Sequence, residues 1–244
     1  MITDKQFTSL LTRIFKENGL SHFLSIESSE KFYALTERML TENEKYNLTA
    51  ITDPEKIILN HYADCAKLAE ILPKVAEICD IGCGAGFPTL PVAILRPDIS
   101  ITAIDSTQKR VGYVEESANL LNLSNVRALT MRAEDGGKNP EFREKFDFAV
   151  ARAVAEMRIL SELLLPYVKT GGKMIAMKGK NAEFELSGAK KAISLLGGRD
   201  AEIITVILKN GNETATHPII TVVKKSKTPP VYPRVYAQIS KKPL

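Results

Sequence analysis

Three glycines at alternate positions, Gly82, Gly84 and Gly86, directly follow an apolar run in which Ile78, Cys79 and Ile81 are interrupted only by Asp80. No other stretch limits the possible folds so sharply. An apolar run entering a glycine cluster reads as a buried strand ending in a tight loop. Beyond the loop, Pro88 suits a first helical position, because its φ is already fixed and its missing N–H is not needed there. Residues 89–95 continue the helix until Arg96-Pro97 stops it. Strand, loop and helix start present backbone N–H groups and a positive dipole end to a ligand that comes close to the main chain. The stretch predicts a nucleotide-type cofactor site; the plain alternative is a turn that only reverses the chain.

Two spacings narrow the cofactor. A dinucleotide fingerprint counted from Gly82 needs its third glycine where Phe87 stands. Asp80 lies two residues before the first glycine, and a second acid, Asp105, ends the next apolar run, where a carboxylate would face ribose hydroxyls. An acid, GxGxG and a later acid make a pattern similar to that of S-adenosylmethionine-dependent methyltransferases, with Asp80, Gly82, Gly84, Gly86 and Asp105 on the cofactor.

The alternation of elements agrees. Strand candidates at 78–81, 99–105, 126–130, 146–151 and 173–178 alternate with helices around Leu90, Lys109, Met157 and Glu183. Two last runs, 203–208 and 219–223, flank a polar turn and read as a hairpin at one edge. The predicted fold class is α/β: a doubly wound, mostly parallel seven-stranded sheet of the S-adenosylmethionine-dependent methyltransferase type. Before it, apolar residues recur at helical spacing in three segments. Phe7, Leu11, Ile14 and Phe15 follow Thr3 or Asp4 as cap. Phe32, Leu35, Met39 and Tyr46 follow Ser28 or Ser29, and Ile57, Ile58, His61, Cys65, Leu68 and Leu72 follow Asp53-Pro54. The division expected is a helical cap over 1–75, a methyltransferase core over 76–225 and a basic arm over 226–244.

Charge is placed unevenly. The 244-residue chain carries a net +4, yet Lys224, Lys225, Lys227, Arg234, Lys241 and Lys242, with no acid among residues 224–244, supply +6. Four prolines and Tyr232 and Tyr236 accompany them, so the end reads as an extended arm rather than a helix. Such an arm either pairs with RNA phosphates and stacks on unpaired bases or is a solvated end. Cys65, Cys79 and Cys83 are too few for a disulfide framework, and no histidine near the last two suggests zinc. With no apolar leader, a cytoplasmic protein without metal or membrane segment is expected.

Ligands of such sheets lie outside the carboxyl ends of the strands. After the third strand, Ala133 and Glu134 could take an adenine amino group, or form only a surface turn. After the fourth, Arg152 between two alanines could pair with a carboxylate or a phosphate. After the fifth, Lys178 and Lys180 could meet a polyanion or stay exposed. His61 lies on an apolar helix face, where a packed imidazole is the ordinary outcome. His22 and His217 fall in loops and show no partner. Residues 151–156 read ARAVAE, without the proline pair and aromatic used in amine methylation, and no cysteine is placed as a carbon-directed nucleophile. Guanine N7 needs neither, since its lone pair is free and no proton is removed before attack.

The segments NLTAI (47–51), HYADC (61–65), DIGCGAGFPTLPVAI (80–94), IDSTQKR (104–110), RAED (132–135), FDFAVARAVA (146–155), GGKMIAMKGKNAEFEL (171–186) and KKPL (241–244) together resemble the bacterial RsmG (GidB) methyltransferases over nearly the whole chain. The resemblance implies S-adenosylmethionine as cofactor and transfer of its methyl group to N7 of one guanine in 16S ribosomal RNA. The small ribosomal subunit or its RNA would be the partner, and the protein a cytoplasmic monomer. It places Gly82, Phe87, Asp105, Ala133, Glu134 and Arg152 on the cofactor. Arg152, Lys178 and His61 are the candidates near the chemistry, with no residue required as catalytic acid or base. The chain departs from the family pattern at Thr89, usually glycine, and at Cys65, usually serine. A small-molecule methyltransferase and a non-catalytic nucleotide or RNA binder stay open as alternatives.

Overall fold

The computed structural model describes residues 2–244, the side chain of Tyr46 excepted. Seven strands form one sheet: β1 (Glu77–Ile81), β2 (Ser100–Asp105), β3 (Val126–Thr130), β4 (Phe146–Arg152), β5 (Val168–Met177), β6 (Gly198–Asn210) and β7 (Glu213–Lys224). Their order is β3-β2-β1-β4-β5-β7-β6, with β1 to β5 parallel and β7 antiparallel to both neighbours. The order reverses between β1 and β4, and the crevice at their carboxyl ends is where such a sheet takes a ligand.

The apolar patterning decides what covers each face. Helices α1 (Asp4–Glu17), α2 (Ile26–Tyr46), α3 (Pro54–Ile57), α4 (Asp64–Ile71), α5 (Thr89–Leu95) and α6 (Gln108–Leu120) bury one face through Phe7, Phe32, Ile57, Leu68, Leu90 and Val114. Between α3 and α4 the chain widens into a π-helical turn over Ile58–Ala63, which carries His61. On the other face lie α8 (Met157–Leu164) and α9 (Ala182–Leu195), with α7 (Ala133–Gly136) a single turn after β3. The helices at the start of the chain share one hydrophobic cluster with the sheet.

Several boundaries move, each for a local reason. Thr3 caps α1 in a reciprocal box with Gln6. The cap of α2 is Ser25, not Ser28 or Ser29: Ser28 is the return partner of the box, its hydroxyl accepting the Ser25 N–H at 2.8 Å. Tyr46 closes α2, and its side chain lies outside the described residues. Pro88 stands one position before α5, because the Leu90 N–H already donates to Gly86 O inside the loop. β5 starts at Val168, five residues before the strand expected over 173–178; a Cβ on Gly172 would lie 2.4 Å from Asp147 O, so the glycine lets the strand pass its neighbour. β6 and β7 run through the polar stretch to Asn210 opposite Glu213. There α1 pins the turn: Asn18 bonds both N and O of Lys209, and Glu17 accepts from the Gly211 N–H.

The basic end departs most from expectation. It is neither free nor wholly extended, since Tyr236–Lys241 forms α10 with Ile239 fully buried. Arg234 lays its guanidinium on the fully buried carboxylate of Glu162, at 2.6 Å. Arg143 holds the carbonyls of Thr228 and Tyr232, at 2.7 and 2.8 Å. Lys224 is buried against Leu165 O, Thr228 and Glu144, and burial lowers its ammonium to about 8. Carbonyls and carboxylates already in the core thus consume charge that the sequence suggests is free. Lys227, Lys241 and Lys242 remain exposed. Among the described residues, no helix is long and apolar enough to cross a membrane and no group of three or more His, Cys, Asp or Glu could hold a metal ion.

Candidate functional site

At the carboxyl ends of β1 to β4 the loops enclose a cleft of about 380 Å³. Its floor begins at the glycine loop, where Gly82 and Gly86 have φ of +75° and +83°. A Cβ on Gly82 would come within 2.7 Å of Val154, so at this position both the turn and its neighbour require glycine. Asp105 ends β2 facing the cleft. Its two oxygens accept the Gly84 N–H at 3.1 Å and the Thr107 N–H at 2.8 Å, which fixes the carboxylate before any ligand arrives. Ala133 and Glu134 line the far side, and as first-turn residues of α7 their N–H groups have no intrahelical acceptor. Tyr167 braces that turn by donating its hydroxyl to Ala133 O at 2.7 Å.

Asp80, Phe87 and Arg152 are not brought to this wall. Asp80 is fully buried beneath the loop, where it accepts the Thr89 hydroxyl at 2.5 Å and leaves Oδ1 without a hydrogen-bond partner among the described residues. Burial lifts its carboxyl to about 7. Phe87 turns inward, its ring stacked on His61 with centroids 4.4 Å apart. Gly84 and Gly86 shape the loop from behind.

Arg152 looks into a second cavity of about 470 Å³, which meets the first at Ala153, a residue lining both with φ of +56°. The Arg152 guanidinium donates to His61 Nδ1 at 2.6 Å, reaches Asp64 at 3.4 Å and lies over Phe87, 5.5 Å from the ring centroid. Burial and this cation push the His61 ring down to about 4, so it is neutral, with the Nδ1 lone pair accepting from Arg152 and its N–H directed from Nε2 to Thr49 at 3.2 Å. The π-turn sets these contacts, because it re-phases the helix so that His61, Asp64 and Cys65 all reach Arg152. The Cys65 thiol is pushed by burial to about 12 and stays protonated. Lys178 is held inward by Glu185 at 2.6 Å and Ala155 O at 2.8 Å; Lys180 is the exposed member of that pair.

Two residues missed by the sequence reading complete the cavity. His217 lies on β7, not in a loop, with its Nδ1 3.1 Å from Asp64 Oδ1. Asp64 therefore joins Arg152 to His217. The position of Asp64 one helical turn after His61 was a usable signal; His217 had none, because its partner is 153 residues away.

Sheet order, glycine loop and acid-ended second strand define the S-adenosylmethionine-dependent methyltransferase fold. The same architecture recurs in a SAM-dependent O-methyltransferase of Thermotoga maritima, with TM-score 0.53 and 14% identity over 78% of this chain and 72% of that one. It recurs also in TYW2 of M. jannaschii, solved in complex with AdoMet, with TM-score 0.52 and 16% identity over 67% and 75%. Residues 28–213 match the sequence profile of the family described as GidB, rRNA small subunit methyltransferase G. Proteins named ribosomal RNA small subunit methyltransferase G are 45% identical in Oceanobacillus iheyensis, over 94% of this chain and 95% of that protein, and 43% identical in Clostridium perfringens strain 13, over 88% and 90%. The chain belongs to the rRNA small subunit methyltransferase G family.

Proposed function

We propose that the protein transfers the methyl group of S-adenosylmethionine to N7 of a guanine in the 16S RNA of the small ribosomal subunit, acting as a cytoplasmic monomer. The donor set fits the cofactor: Asp105 is a carboxylate pre-oriented by two amides for a diol, and the cleft has the size of small-molecule sites. In this reading Gly82, Asp105, Ala133 and Glu134 touch the cofactor, while Asp80, Gly84, Gly86, Phe87 and Arg152 hold the loop and the junction. Residues 1–75 cap the core at 76–225, and the basic segment 226–244 adds phosphate contacts.

The observation that carries the acceptor assignment is that the ionisable groups of the second cavity are engaged with one another, Asp64 with Arg152 and His217, and Glu185 with Lys178. His61 is neutral with its lone pair engaged by Arg152, and Lys178 is held by Glu185. The bound cofactor supplies a methyl group on a sulfonium that is already a good leaving group. A nucleophile with a free lone pair and no proton to lose suits such a site, and guanine N7 is one. What remains for the protein is alignment through Ala153 and stabilisation of the cationic product base. Asp64 and Glu185, which both line the acceptor cavity, supply the negative charge for the second task.

The test is transfer of labelled methyl to small subunits, and to their stripped RNA, from cells lacking the corresponding enzyme, followed by nucleoside digestion and mass spectrometry. Labelled 7-methylguanosine is expected. Cofactor binding with no label in RNA would end this reading in favour of a small-molecule acceptor or a non-catalytic binder.

A further inference from the structure

We infer that the carboxyl-terminal segment is a built part of the cofactor cleft, with Tyr236 a cofactor-contacting residue on the adenosyl side. The inference rests on the methyltransferase reading. Tyr236 lines the cleft together with Asp105, Met131 and Glu134, and among the described lining residues it is the one aromatic. The other described lining residues carry no ring, so the flat face of a purine has a single matching surface among them. Stacking of a base on an aromatic side chain is worth about 1–3 kcal/mol, enough for roughly a five- to 150-fold change in affinity.

The ring is carried on an anchored segment. The Tyr236 N–H lies 3.3 Å from Glu134 Oε1, which draws the residue to the adenine side of the cleft. Two residues earlier, Arg234 donates both its backbone N–H and its guanidinium to Glu162, which is fully buried. Three residues later, Ile239 is fully buried. Pro233 sits against Gly137, where a Cβ would come within 3.0 Å of it. Held on both sides, Tyr236 stays at the cleft it lines and is 41% exposed. The exposed part of the ring is the surface a purine would cover.

The experiment is calorimetric titration of the full chain with S-adenosylhomocysteine, which needs no turnover. Tyr236→Ala should weaken binding by about five-fold or more, and Tyr236→Phe, which keeps the ring, should bind like the unaltered chain. The chain has no tryptophan, so Tyr236→Trp gives a single indole whose emission should change as S-adenosylhomocysteine, or adenosine at higher concentration, saturates the site. Unaltered affinity in Tyr236→Ala, or an indole signal indifferent to a ligand that calorimetry shows to be bound, would overturn the inference alone. Failure of the unaltered chain to bind S-adenosylhomocysteine would overturn the methyltransferase reading and this inference with it.

Discussion

The two cavities that meet at Ala153 are built on opposite plans. The cofactor cleft is made largely of main chain. Its glycines and Asp105 lie within 24 residues of one another, and Asp105 is fixed by amides two and 21 residues away. The acceptor cavity is made of ionisable side chains drawn from the start of α4, the end of β4, the residue after β5, the first turn of α9 and a distant hairpin, and they hold chiefly one another, with Lys178 and Glu185 also bonded to the backbone. A site of the first kind is robust to the loss of a side chain, whereas one of the second kind fails as a unit.

The largest expected effect tests that contrast directly. Arg152→Ala leaves Asp64 without its cation in a nearly buried position and should cost about 3–5 kcal/mol of stability, measured by urea unfolding. A cost below about 1 kcal/mol would show that the side chains of this cavity stand independently. Asp105→Ala should leave the fold intact and weaken S-adenosylhomocysteine binding by roughly ten- to hundred-fold, the worth of a charge-assisted hydrogen bond. Equal affinity by calorimetry would remove Asp105 from the ligand.

The next effect is a pH profile. Burial raises Asp80 from 3.8 to about 7, so across that window the folded protein keeps a proton that the unfolded chain has shed, and stability falls as pH rises. His61, lowered from 6.5 to about 4, has the opposite sign: the unfolded chain takes up the extra proton, and stability falls as pH drops through that range. The two partly offset. Asp80→Asn removes the first and should leave stability rising from pH 4 to pH 6.5 in denaturation series. If the variant reproduces the unaltered profile, Asp80 is ionised beneath the loop. The smallest effect belongs to Lys241→Ala with Lys242→Ala. Both side chains are exposed, so stability should shift by less than about 0.5 kcal/mol. RNA affinity should drop, with the slope of log K against log salt shallower by about one per lysine; an unchanged slope would take α10 off the RNA.

What the sequence made legible follows the same contrast. The glycine loop, the acid at the end of β2 and the parallel strands are specified by neighbours in the chain, so periodicity and turn chemistry reveal them. Asp64 with His217, the inward hold on Lys178 and the docking of Arg234 on Glu162 are specified by partners between 7 and 153 residues away. Local patterns carry nothing about such pairs. The basic end shows this most clearly: as a list of residues it is a charged, proline-rich tail, and only the buried carboxylates of the core turn it into a wall. The hairpin was misjudged in length for a related reason. Its polar tip reads as loop, yet the two strands pair with each other and with α1, so hydrogen bonding rather than apolar burial sustains them.

That seam between α1 and the hairpin also bears on the order of folding. Arg13 with Asn210, Asn18 with Lys209 and Glu17 with Gly211 join positions 191 to 197 residues apart, which makes them among the most distant pairings in the chain. Closing so large a loop adds little to the equilibrium cost, because loop entropy grows only with the logarithm of length. Its weight falls on rate, since contacts of high sequence separation are slow to be rewarded. The sheet and its glycine loop can therefore assemble first and the first helix seat against the hairpin afterwards, a sequence of events in which the cofactor cleft exists before the molecule is closed.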